Sequence, residues 1–179
     1  MTPDRENIRF NVLRNALYHT ARRRTFERRD RFFNFLVVVL GTAAAADALA
    51  AFDVSQVWIG LAVAVIGALQ LVFDFGGLAR LHTALQRDYY LLLADIEANP
   101  DASAKQCAGW QSRMIRITAD EPPLLRAIDA KAYNDALDAT SVEASAERLH
   151  IPFRHRLLGG LIPFEGARYS KLSELGRSP

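Results

Sequence analysis

The sequence holds a single cysteine, Cys107, which excludes an intrachain disulfide and a thiolate metal cluster. That scarcity fits a chain whose bulk faces a reducing compartment. Period-2 alternation of apolar and polar residues is missing throughout, so an all-α fold is expected. The chain also lacks a Gly-rich phosphate loop and any serine or cysteine nucleophile in a recognisable setting. The four histidines, His19, His82, His150 and His155, are scattered. Only the last two are close, with a proline between them and no cysteine nearby, so no metal site is expected. Neither an enzymatic activity nor a cofactor is suggested. A net charge of only +2 likewise gives no global attraction for a polyanion.

What the sequence does contain is two long apolar runs. Residues 32–51 carry one ionisable side chain, Asp47, and two other polar ones, Asn34 and Thr42. Residues 57–75 are interrupted only by Gln70 and Asp74. A hydrocarbon core of ~30 Å takes ~20 helical residues, so each run is of spanning length. Neither contains proline, and each can satisfy its backbone as a helix, as lipid requires. Two alternatives stand beside this reading. One is a soluble bundle with two central helices buried all round, although so small a chain has little interior to hide them. The other is a signal peptide cleaved after Ala48-Leu49-Ala50, against which stand a long acidic-containing leader and Asp47 at the cleavage region.

Charge by position gives an orientation. Residues 1–31 hold nine arginines against four acids, a local excess hidden by the balanced whole. Arg22, Arg23, Arg24, Arg28, Arg29 and Arg31 precede the first run, Arg80 and Arg87 follow the second, and residues 52–56 between the runs carry no Lys or Arg. Basic flanks mark the cytoplasmic side, so both termini are expected inside and the short loop outside. The arginines abut a span, so topology or contact with anionic headgroups explains them more simply than nucleic acid does.

The remaining chain reads as helices. Residues 1–31 form a basic amphipathic N-terminal helix, with Phe10, Leu13 and Leu17 on one face. It either lies on headgroups or simply continues into the first span. Gly76-Gly77 suggests a hinge. Residues 78–140 read as a cytoplasmic helical region. Leu78, Leu81, Leu85, Leu92 and Ile96 lie near helical spacing in one helix, and Cys107, Trp110, Met114 and Ile117 form a packing stripe on the next. A further helix is expected from Asp120 to about Ala139, with Pro122 and Pro123 in its first turn. Leu124, Leu125, Ile128, Ala132 and Leu137 would supply its apolar side. Residues 141–179 form a tail in which Ile151-Pro152-Phe153 is echoed by Ile162-Pro163-Phe164 around basic residues and Gly159-Gly160. It reads as a loosely ordered end, or as a segment touching the membrane surface or a second subunit.

Polar groups within spans are functional candidates by default. Asp47 lies near the outer end of its run, where it either reaches headgroups or faces a helix contact. Asn34 is level with Gln70 and Asp74, which share a face at i and i+4. These three are placed to bond across the hairpin or to line a cytoplasmic vestibule. Gly60, Ala64 and Ala68 repeat every four residues, a spacing that lets helices approach closely in lipid. Two helices cannot enclose a water path, so a conduit with Asn34, Thr42, Asp47, Gln70 or Asp74 on its wall requires a homo-oligomer.

The order of features resembles the SLATT family, the two-transmembrane effector domains associated with bacterial nucleotide-sensing and SLOG conflict systems. The resemblance rests on the basic run from Ala21 through Arg29 into the first span and on the two spans joined by a short loop. Further along it rests on the segment Arg116–Pro123, with Glu121-Pro122-Pro123, and on Ala132-Tyr133-Asn134-Asp135. It covers about residues 15–140, and its hairpin portion is generic. It implies a multi-pass protein of the bacterial inner membrane that oligomerises to form a pore or disrupt the bilayer, causing growth arrest or cell death in antiviral defence. No sensor domain is attached, so a separate sensor protein or ligand is the implied trigger. The family has no agreed catalytic residues to carry over. The alternative is a non-conducting membrane scaffold, its hairpin anchoring a cytoplasmic helical module that recruits a partner.

Overall fold

The computed structural model describes residues 4–42, 47, 55–140 and 146–175. Among these the fold is all-α, with helices α1 Arg5–Leu40, α2 Gln56–Phe73, α3 Phe75–Glu97, α4 Ala104–Ala119, α5 Arg126–Thr140, α6 Phe153–Leu158 and α7 Leu172–Leu175. The only extended pairing among the described residues is one antiparallel bridge, Leu149 to Lys171. The chain divides into two compact units. One comprises the chain up to Arg22 and from His82 onward; the other comprises Arg23–Leu81.

In the first unit, α1 buries Ile8, Val12 and Ala16 against Tyr89, Leu92 and Ile96 of α3 and Cys107 of α4. The expected α4 stripe is present, with Trp110, Met114 and Ile117 packed on that core. The helix begins where it does because Ser103 and Gln106 make a capping box, the Ser103 N–H donating to Gln106 Oε1 at 2.9 Å. The face of α1 differs from the expected one. Phe10, Leu13 and Leu17 are only half-buried, Phe10 meeting the Tyr133 ring edge-on at 5.2 Å. The first half of α1 is thus a core helix of the first unit.

The helix expected from Asp120 starts instead at Arg126. Each residue before a proline is pushed out of the α region, so Glu121 and Pro122 hold residues 121–125 as non-helical chain. The Leu125 N–H donates to the Tyr18 hydroxyl at 3.0 Å, fixing the segment on α1. The buried side of α5 is Ala127, Ala130, Ala132 and Ala136 with Asp129 and Asn134, while Leu124 stays exposed. Small residues let α5 approach closely. Arg14 closes on Asp129 with both ends of its guanidinium, Nε donating to Oδ1 at 2.8 Å.

The tail is not a loose end. Leu149 exchanges two hydrogen bonds with the Asn134 side chain, donating N–H to Oδ1 at 2.7 Å and accepting from Nδ2 at 3.0 Å. Residues 148–150 then pair with 170–172, the His150 N–H donating to the Ser170 carbonyl at 2.9 Å. Gly159 is buried, and a Cβ there would lie 2.6 Å from the Ala127 Cβ. It is a point of close approach, not a flexible spacer.

In the second unit, the latter half of α1 lies beside α2 and the start of α3. Phe75 stacks on Phe33 at 5.3 Å, on Phe73 at 5.6 Å and on buried Phe26 at 6.5 Å. The hinge expected at Gly76-Gly77 sits at Asp74. That residue alone leaves the helical region, at φ 36°, and both glycines fall in the first turn of α3.

Among the described residues one helical run, Gln56–Glu97, is long and apolar enough to cross a membrane, and its apolar part is α2. Of the first run expected to span, α1 carries residues up to Leu40. Residues 43–46 and 48–51 lie outside the described ones.

Candidate functional site

Of the polar residues expected inside the spans, two meet. Gln70 Nε2 donates to Asn34 Oδ1 at 2.9 Å, and Asn34 Nδ2 donates to Asp30 Oδ2 at 3.2 Å. The cross-helix bond read from their matched depth is therefore present. Asp74 does something else. Its N–H donates to the Gln70 carbonyl to close α2, while its carboxylate accepts from the Gly77 N–H at 2.9 Å to open α3. One residue caps two helices. A Cβ at Gly77 would fall 2.0 Å from Asp74 Oδ2, so glycine makes the cap possible.

Thr42 turns its hydroxyl back to the Val39 carbonyl at 2.8 Å, closing the end of α1. Asp47 is exposed and helical, with its immediate neighbours outside the described residues. Gly60, Ala64 and Ala68 lie on an exposed face of α2, and nothing lies within 4 Å of a Cβ built on Gly60. Among the described residues nothing packs on Gly60, and Ala64 and Ala68 are exposed beside it. Among the arginines, Arg24, Arg28 and Arg31 are exposed; Arg22, Arg23 and Arg29 are half-buried. Arg23 pairs with Glu27 at 3.5 Å, and Arg29 lies over the Phe26 ring at 5.8 Å.

The resemblance residues acquire local roles. Glu121 ends a buried polar chain that pattern reading missed altogether. His19 of α1 and His82 of α3 face each other with Nδ1 atoms 2.8 Å apart, so one ring donates and the other accepts. His19 Nε2 lies 3.3 Å from Glu121 Oε1, and the Tyr89 hydroxyl donates to that carboxylate while bonding Thr118 Oγ1 at 2.9 Å. His19 also stacks on Tyr89, ring centroids 5.6 Å apart. Burial, with the adjacent His19 and Arg22, lowers the His82 pKa to about 3. Burial, reinforced by Glu121, raises that of Tyr89.

The histidines regarded as scattered thus include a buried pair, His19 and His82, in direct contact in the first unit. A signal existed. His19 continues the Val12–Ala16 stripe and His82 precedes Leu85 and Tyr89 on another, so both sit on apolar faces. Their mutual contact depends on folding across the intervening chain. No group of three metal-ligating side chains occurs among the described residues. His155, one of the pair near each other in sequence, stacks on Phe164 and bonds the Tyr169 hydroxyl at 2.8 Å.

A cleft of about 330 Å³ lies between α5 and the tail, lined by Ala127, Ile128, Lys131, Asp135, Arg148 and Arg156 among others. Two of its cations are neutralised locally, Lys131 on Asp135 at 2.5 Å and Arg148 on Asp138. The cleft does not reach the histidine network, whose rings are buried. Chemically the network holds the 121–125 segment to α1 and α3. No family model, curated protein or solved structure matches this chain.

Proposed function

We propose that the chain is a multi-pass protein of the bacterial inner membrane, anchored by a two-span hairpin over residues 32–51 and 57–75 with both termini cytoplasmic. On that anchor it acts as a non-enzymatic effector that oligomerises to open a pore or disrupt the bilayer. The observation that supports the anchor most is the exposed apolar surface of α2. Leu71 is 84% and Val72 77% exposed at one end of α2, and Val57, Trp58 and Leu61 are exposed toward the other. Patches of this extent on a soluble monomer are rare. The second half of α1 carries the same character, with Phe32, Phe35 and Val38 outward. Eighteen residues of α2 rise about 27 Å at 1.5 Å per residue, close to the hydrocarbon thickness.

The effector role rests on the SLATT resemblance and on the exposed Gly60–Ala64–Ala68 face, which leaves a surface for a second copy in lipid. The trigger would be a separate sensor or ligand. Alkaline washing of isolated membranes tests the anchor, which predicts the chain stays in the pellet. Induced expression with a potential-sensitive dye tests the effector role, which predicts depolarisation. Unchanged potential at full expression counts against it.

A specific observation favours the scaffold reading in second place. Asn34, Gln70, Thr42 and Asp74 are all satisfied within the chain, so among the described candidates Asp47 alone has no hydrogen bond or ion pair to occupy it. A scaffold predicts partner capture without conductance.

A further inference from the structure

We propose that α6 and the turn after it form a second, peripheral contact of this chain with an anionic lipid surface. Phe153, Leu157 and Leu161 recur every four residues and are 75%, 68% and 68% exposed. Arg154 and Arg156 fall on either side of that strip by helical spacing and are exposed. Neither has a carboxylate partner among the described residues, in contrast to Arg5, Arg9, Arg14, Arg87, Arg113 and Arg148 of the same unit.

Looseness does not explain the exposure. The segment is pinned at Leu149 by Asn134, at buried Gly159 against Ala127, and at Pro163, whose carbonyl accepts from the Arg126 N–H at 3.3 Å. The echoed motif makes the point by contrast. Phe164 of the second copy stacks on His155 at 3.9 Å, whereas Phe153 of the first is held outward. A knitted segment that presents three large apolar side chains between two unpaired arginines matches an interface offering hydrocarbon and phosphate together. Charge complementarity decides for lipid over a second copy, since a copy brings the same two arginines to a self-paired contact. The inference rests on the anchored reading to the extent that an anchored chain keeps lipid at high effective concentration, so a short helix suffices.

The test uses the full chain in vesicles, in a Cys107→Ala background, with Cys107→Val as a second background should alanine leave too large a gap. An environment-sensitive fluorophore is placed on Leu161→Cys, and separately on Val72→Cys in the proposed span. Vesicles of phosphatidylcholine carrying brominated acyl chains are compared with and without phosphatidylglycerol. The expected result is quenching at position 161 that grows with phosphatidylglycerol and weakens about fivefold in bound-to-free ratio for each of Arg154→Gln and Arg156→Gln, while position 72 is unmoved by either. Quenching at 72 without quenching at 161 overturns the peripheral contact and leaves the anchor standing. Quenching at neither overturns both. Fluorescence at 161 that follows protein dilution, without lipid quenching, overturns lipid in favour of a second copy. Quenching indifferent to phosphatidylglycerol and to both arginines overturns the anionic requirement.

Discussion

Two imidazoles 2.8 Å apart, both buried, share a single proton position between them. Burial away from water is the main reason His82 stays neutral to about pH 3, and the adjacent His19 and Arg22 add to it. The sign of its effect on stability follows. In the unfolded chain His82 takes up a proton below its ordinary pKa of 6.5, whereas the folded chain resists until about 3. The unfolded state therefore binds more protons across that window, and stability contributed by neutral His82 is lost as pH falls through it, by up to about 1.4 kcal/mol per pH unit. Hydrogen exchange of α3 amides between pH 7 and pH 4 should show this slope, and His82→Gln should flatten it. An unchanged slope in the variant would assign the acid sensitivity to another group. Asn134 offers a second residue-scale test, because its amide satisfies both backbone groups of Leu149. Asn134→Ala strands them at a cost of about 1–3 kcal/mol, seen as faster proteolysis between α5 and α6. Asn134→Asp keeps the acceptor and should fall between. Both cases show why residue roles were only partly legible. The stripes announced that His19 and His82 face a core, but what each meets there is set by chain 63 positions away.

Elements whose ends are written in local chemistry were the legible ones. Ser103 and Gln106 start α4, and of the stripe Leu78, Leu81, Leu85, Leu92 and Ile96 the last three are buried on α3, while Leu78 is half-buried and Leu81 exposed. Where two local signals compete, the reading failed. Pro122-Pro123 suits a first helical turn, yet each proline also bars its predecessor from the helix, and the second effect wins because Tyr18 gives the non-helical Leu125 N–H a partner. The break at Asp74 is a similar case, where glycines drew the eye and an aspartate two positions earlier bends the chain. A non-glycine residue at φ 36° is strained unless its side chain repays the cost locally, which Asp74 does by capping Gly77. Substitution there should follow a definite order in detergent melting temperature. Asp74→Asn keeps both the turn and the cap and should sit near the parent. Asp74→Gly loses the cap but relaxes the backbone. Asp74→Val loses both and should cost about 2 kcal/mol. A valine variant as stable as the parent would mean that the break is not held by residue 74. The bond between Gln70 and Asn34 on the neighbouring turn is worth less, about 1 kcal/mol for an intramolecular hydrogen bond.

For the whole molecule, the second apolar run is legible as α2, within the helical run long and apolar enough to cross a membrane, whereas the first run is described only in part, α1 ending at Leu40. The same sequence said little about assembly, since a subunit contact is written on faces that nothing within the chain covers, and Gly60, Ala64 and Ala68 are exposed among the described residues. Conductance is the property that separates effector from scaffold, and Asp47 is where it can be asked. The other described polar candidates are tied up by Asn34–Gln70 bonding, by the end of α1 and by the Asp74 cap, which narrows the groups left to meet a permeating ion. A carboxylate ring around a conduit raises the local cation concentration, so its removal changes both current and ion preference. Asp47→Ala should therefore lower single-channel current and shift reversal potential in a salt gradient toward weaker cation selectivity, in liposomes fused to a planar bilayer. An interfacial aspartate outside the conduit predicts neither change. Leakage that is lost in Gly60→Leu but retained in Asp47→Ala would place the helix contact, and not the carboxylate, at the centre of assembly.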